Sequence, residues 1–89
     1  MQFPDDVSDD VLKRLRRAEG QVRGVQRLIE EGADCTDVVH QLSAAQAALQ
    51  RAGLRLMAAG MRYCSTDPEG AEAEGMDVEQ MEKLFLSMR

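Results

Sequence analysis

Small and apolar residues that recur alternately every four and every three positions constrain this chain more than any other feature. Val38, Leu42, Ala45, Leu49, Ala52, Leu56, Ala59 and Tyr63 make up the series. Such a heptad seam calls for a second helix to cover it. Carried back three residues, it begins at Cys35. The spacing predicts one helix from about Cys35 to Tyr63, started by Asp34 or Thr36. Ala44, Ala47, Ala48, Gly53 and Gly60 are small enough to permit close helix approach, and Arg51, Arg55 and Arg62 form a separate stripe.

A first helix is predicted from about Asp9 to Glu31. Ser8 suits its N-cap, Asp9 and Asp10 suit the positive end of its dipole, and Gly32 suits the C′ position. Val11, Leu15, Ala18, Val22, Val25 and Ile29 fall on one face, and Lys13, Arg16, Arg17, Arg23 and Arg27 on the opposite one. Gly20 and Gly24 weaken this helix by up to ~1 kcal/mol each, so packing must hold it. The acidic stretch at about residues 1–8 is expected to be disordered. A linker at about 65–76 contains Pro68, Gly70 and Gly75. A short third helix is predicted over about 78–88, capped by Asp77 with Gln80 as capping-box partner, and apolar along Val78, Met81, Leu84, Phe85 and Met88. No strand pattern or internal repeat is visible. The reading is a single all-α domain of three helices around a long central one.

The composition agrees with a helix bundle. The 89 residues include no Trp, one Tyr and two Phe, so the core is expected to be Leu, Val, Ala and Met. A core from so short a chain is marginal, which favours self-association. No apolar stretch approaches the ~20 residues that span a bilayer, and "MQFPDDVSDD" has no basic or apolar leader region. A cytoplasmic location with reduced thiols is expected. The net charge of −5 hides an asymmetry: six bases and one acid lie between Lys13 and Arg27, against seven acids and two bases from residue 65 onward. A concentrated basic face can bind a phosphate backbone on an acidic protein, because the local field decides.

Cys35 and Cys64 are the two cysteines, 29 residues apart, which on one straight helix is about 43 Å. A disulfide needs Cα atoms within ~7 Å, and a shared metal needs both thiolates at ~2.3 Å. They cannot meet within one chain. Antiparallel pairing of the helix with a second copy, about a two-fold near Leu49 and Gln50, sets Cys35 close to Cys64 of the partner subunit at each end. Cys35 sits at a helix N-terminus, a setting that favours reactive thiolates. Cys64 borders a polar loop and is expected to lie outside a deep core. The plainer alternative, two thiols acting as small buried hydrophobes, stays open on the residues alone.

The segment "LKRLRRAEGQVRGVQRLIEEGADCTDVVHQLSAAQAALQRAGLRLM" resembles the copper-sensitive operon repressor family (CsoR/RcnR), over about residues 11 to 66 and more loosely in the last helix. The resemblance implies all-helical DNA-binding repressors, assembled as dimers of dimers on an antiparallel pair of the second helix. Copper sensors in this family carry Cys, then His 25 residues on, then Cys four residues later. Cys35 and Cys64 match the outer positions, but the middle one is Gly60, which ligates nothing. Asp34 stands where a Tyr is often found, and Lys83 aligns with an expected acidic residue. Nickel or cobalt sensing needs several His, and His40 alone, about 140° round the helix from Cys35, reads as solvated. Formaldehyde sensing uses an N-terminal Pro, but residue 2 is Gln and Pro4 is internal.

Two cysteines without the His resemble the persulfide-sensing (CstR-like) branch. On that reading Cys35 is persulfidated by a low-molecular-weight persulfide or polysulfide and resolved by Cys64 of the partner subunit, and the resulting bridge releases operator double-stranded DNA. The alternative is a Cu(I)-responsive repressor using the two thiolates, since Cu(I) tolerates two soft ligands. The first reading needs no cofactor and the second needs Cu(I). Neither is an enzyme, because nothing supplies a general base or a substrate pocket. The expected DNA footprint is the basic face of the first helix, with Arg14 and Arg17, and the Arg51/Arg55 stripe; the resemblance places DNA contacts at positions matching Arg14 and Arg51. With no helix-turn-helix, phosphate contacts and strong salt dependence are expected.

Overall fold

The seam is one continuous helix. The computed structural model describes residues 2–88 and resolves four helices: α1 (Asp5–Glu30), α2 (Cys35–Thr66), α3 (Pro68–Ala73) and α4 (Val78–Ser87). Among the described residues there is no strand. The 32 residues of α2 rise about 48 Å, most of the 54 Å long axis of the protomer. Asp34 caps α2, its carboxylate accepting from the Thr36 N–H at 3.1 Å.

α1 folds back along α2 through a tight turn. Gly32 has φ +70°, its N–H donates to the Ile29 carbonyl, and the Ala33 N–H donates to Leu28. This paired closure needs a left-handed residue at Gly32, which a Cβ would penalise. The other end of α1 differs from expectation. The helix begins at Asp5 with Pro4 as its cap residue, and Ser8 lies inside it. Residues 5–8 are therefore ordered helix. Val7 and Val11, one turn apart, are 3 % and 5 % exposed and pack against Ala52, Ala59 and Leu56. Burying a valine contributes about 1.5–3 kcal/mol, more than the ~1 kcal/mol of a serine cap, so packing outweighs the local start signal.

The expected linker holds a helix of its own. Asp67 caps α3 by accepting from the Gly70 N–H at 3.1 Å, Pro68 occupies the first helical position, and Ala71 is buried against α2. The described residues thus form four helices where three were expected. α4 starts as predicted, with the Asp77 carboxylate accepting from the Gln80 N–H at 2.9 Å.

The core is thin. Its buried apolar residues are Val7, Val11, Ala18, Val25, Ala45, Ala52, Ala59, Cys64, Ala71 and Met81. Leucine was expected among them and is absent. The alanines spaced by seven on α2 face α1, whereas Leu42 and Leu49 of the same seam stay 46 % and 49 % exposed. Leu15, Val22 and Ile29 of α1 are also exposed, as are Val78, Leu84 and Phe85 of α4 and Met88 just after it. One protomer therefore covers one side of its seam and leaves the other open.

Candidate functional site

Cys35 is the first residue of α2 and is exposed. Cys64 lies near the other end of the same helix and is buried, at 7 % exposure, which corrects the expectation that it lies outside a core. α3 and α4 fold over it. It packs with Ala71 and Met81, edged by Met57, Tyr63 and Met76, and its thiol donates to the Met76 carbonyl at 2.7 Å. A polar loop in the sequence thus becomes a lid in the fold. Since α2 is unbroken, the thiols remain about 43 Å apart, yet they leave the helix within about 20° of each other around its axis. One side of one rod carries both.

Gly60, one turn before Cys64, is buried and supplies no donor. Met81 of α4 fills the space instead. A Cβ at position 60 would lie 2.9 Å from Met81 Sδ and closer still to its methyl carbon. Lys83 points away, 70 % exposed and 3.9 Å from Glu79. Asp34 acts as a helix cap, and His40 is exposed. Tyr63 donates to the Glu74 carboxylate at 2.9 Å, tying the end of α2 to the α3–α4 turn, and this hydrogen bond raises the phenol above its ordinary pKa. Among the described residues no three His, Cys, Asp or Glu side chains converge to hold a metal.

Two of the arginines singled out from sequence meet where α1 and α2 adjoin. One oxygen of Asp10 accepts from both Arg14 Nε and Arg55 Nε, each at 3.2 Å. This contact shows which sides of the two helices adjoin. Arg17 follows Arg14 by one turn and Arg51 precedes Arg55 by one turn, and both are exposed. The four arginines singled out from sequence therefore share an edge, drawn from both helices. Asp10 has a different role from the one expected: it is an interior helix residue bridging two arginines.

Sequence reasoning missed Met81, Met57 and Met76 as neighbours of Cys64. A signal was present, because the five methionines of the described residues all fall between positions 57 and 88.

Known proteins share both the sequence and the shape. A family model described as "Metal-sensitive transcriptional repressor" matches residues 7–87. The chain is 44 % identical over 69 residues to the copper-sensing transcriptional repressor RicR of Mycobacterium tuberculosis, covering 78 % of this chain and 72 % of that one. It is 40 % identical over 76 residues to the copper-sensing transcriptional repressor CsoR of Bacillus subtilis, covering 79 % and 75 %. The crystal structure of the copper-sensing repressor CsoR with Cu(I) from Geobacillus thermodenitrificans superposes with a TM-score of 0.71 at 33 % identity, covering 99 % of this chain and 88 % of that one.

Proposed function

Because the chain belongs to the CsoR-type family of metal-sensitive transcriptional repressors, which are not enzymes, we propose that it is a Cu(I)-responsive repressor. Its sensor is Cys35 of one protomer with Cys64 of the partner subunit. The observation that carries this reading is the placement of both thiols on one side of α2 at its two ends, Cys64 within a sulfur-rich pocket. The open side of the seam, with Leu42 and Leu49 exposed, suits an antiparallel copy about the middle of α2. That pairing forms two sites per dimer, and dimers of dimers extend the same symmetry.

Gly60 pointed toward persulfide sensing, but nothing among the similar proteins supports that branch, and two features favour copper. The relatives and the solved structure carry copper in their names. In addition, Cys64 lies among Met57, Met76 and Met81, whose soft thioether sulfurs suit Cu(I).

Bound between two thiolates, Cu(I) supplies a strong soft link across the interface. Everything else is done by the chain. Cys64 gives up its proton and its hydrogen bond to Met76, and Cys35 does not move independently of the start of α2. Joining the ends of two long helices fixes their relative twist. Each helix carries Arg51 and Arg55, and each hairpin carries Arg14 and Arg17, so twist and DNA-edge spacing change together. Metal and DNA then weaken one another by the same factor.

Fluorescence anisotropy with a duplex recovered by binding-site selection tests this reading. Stoichiometric Cu(I) is expected to release the DNA, and Cys35→Ala and Cys64→Ala to abolish the response. Release by polysulfide with a cross-linked dimer on a non-reducing gel, and none by Cu(I), would overturn it.

A further inference from the structure

The sulfur cluster over Gly60 is chemically more specific than a patch of core. Gly60 leaves a gap one turn from Cys64, and α4 fills it with a thioether whose Sδ lies 2.9 Å from the position of a Cβ at residue 60. Positions 60 and 64 stand about one helical turn apart on one face, so that sulfur approaches the same side of α2 as the Cys64 thiol. Met81 is among the least exposed side chains, at 2 %, and belongs to the same buried cluster as Cys64, with Met57 and Met76 at its margin. Among the described residues no group of three His, Cys, Asp or Glu side chains offers an alternative set of donors. A thioether is a soft, neutral donor, well matched to Cu(I) and poorly matched to hard or borderline divalent ions.

Building on the Cu(I) reading above, we propose that Met81 supplies its thioether as a third sulfur donor, beside Cys64 and Cys35 of the partner subunit. The ligand change balances simply. Each thiol loses one proton to solvent, Met81 donates a lone pair and loses nothing, and copper stays Cu(I). The hydrogen bond from Cys64 to the Met76 carbonyl is released. α4 is thereby drawn into the sensor, because one of its side chains ligates directly, whereas Lys83 two residues on faces solvent.

Plain hydrophobic filling by Met81 is the competing account, since methionine commonly fits irregular gaps. X-ray absorption on the full-length protein, grown with selenomethionine and loaded anaerobically with one Cu(I) per protomer, separates the two. A copper–selenium scattering path is expected in the parent protein. Met81→Leu, which conserves volume, is expected to lose it, with Met57→Leu and Met76→Leu retaining it. Competition against a chromophoric Cu(I) chelator is expected to show affinity falling on the order of tenfold in Met81→Leu. Copper bound by two thiolate sulfurs with no selenium neighbour would overturn the role of Met81 and leave the Cu(I) reading standing. A copper–selenium path that persists in Met81→Leu and disappears in Met57→Leu would overturn it equally. Failure of the parent protein to retain Cu(I) against the chelator would overturn the Cu(I) reading itself.

Discussion

Met81 Sδ rests over Gly60, 2.9 Å from where a Cβ would be, so a side chain on α2 and a thioether from α4 compete for one volume. The competition makes position 60 a lever on α4. In Gly60→Ala the helix gains up to ~1 kcal/mol of intrinsic propensity, while the methyl displaces the far end of a flexible side chain. The two effects offset, and thermal unfolding is expected to move by no more than about 1 kcal/mol. The Cu(I) spectrum is expected to shift toward that of Met81→Leu. A loss of several kcal/mol would mean that Met81 cannot yield.

Asp10 holds Arg14 and Arg55 together, and it partly neutralises the edge assigned to DNA. Asp10→Asn is expected to tighten DNA binding at low salt. Because exposed ion pairs contribute little, stability should fall by no more than ~1 kcal/mol. Chemical denaturation and anisotropy measure the two effects separately. Tighter binding in this variant ties the edge to DNA, and unchanged affinity would detach it.

Arg51→Ala tests the same edge from the other helix. Each neutralised phosphate adds about −0.9 to the slope of log affinity against log salt on duplex DNA. Titrations between about 50 and about 200 mM salt are expected to show a shallower slope, by roughly that amount for each phosphate the variant no longer neutralises. A weaker complex with an unchanged slope would point to an interaction with a group other than phosphate.

Leu49 lies at the centre of α2 and is exposed in the protomer. If a second copy covers it, Leu49→Asp buries a charge at the two-fold, a cost of several kcal/mol. Sedimentation velocity is expected to show loss of the oligomer toward the 9.9 kDa protomer. On the proposed reading, in which each site draws on two protomers, Cu(I) affinity should fall with it. An oligomer that survives this change would place the interface elsewhere.

The Cys64 thiol is a hydrogen-bond donor to Met76 and must lose that proton to ligate. On the Cu(I) reading binding releases protons, and affinity is expected to rise with pH, by up to about tenfold per unit for each thiol proton displaced. Chelator competition from about pH 6 to about pH 8 measures the slope, and Cys64→Ala should reduce it by one proton. A slope and affinity unchanged in Cys64→Ala would exclude that thiol as a ligand.

The features legible from sequence were those set by short-range chemistry. The 4–3 periodicity predicted α2 within three residues at its C-terminal end, Asp77 announced its cap, Asp34 was one of two candidates for the cap of α2, and Gly32 suited the left-handed position that closes the α1–α2 turn. The distance between Cys35 and Cys64 also followed from sequence, because a helix converts residue number into length. The arginines of the basic edge were visible one helix at a time. Their union across two helices was not, since it depends on which sides of α1 and α2 adjoin.

Tertiary structure decided wherever two local readings were equally good. Ser8 was a sound cap, but burial of Val7 against α2 carried the helix past it to Asp5. Leu42 and Ala45 belong to one seam, yet α1 covers only the alanine side, because a helix arriving from one direction covers one half of a two-sided stripe. Cys64 borders a polar stretch, and the return of α3 and α4 buried it. The position of Met81 over Gly60 joins residues 21 apart in sequence, and no periodicity within either helix encodes that meeting. Only the packing of α4 onto α2 brings thioether and thiol to the same end of the rod.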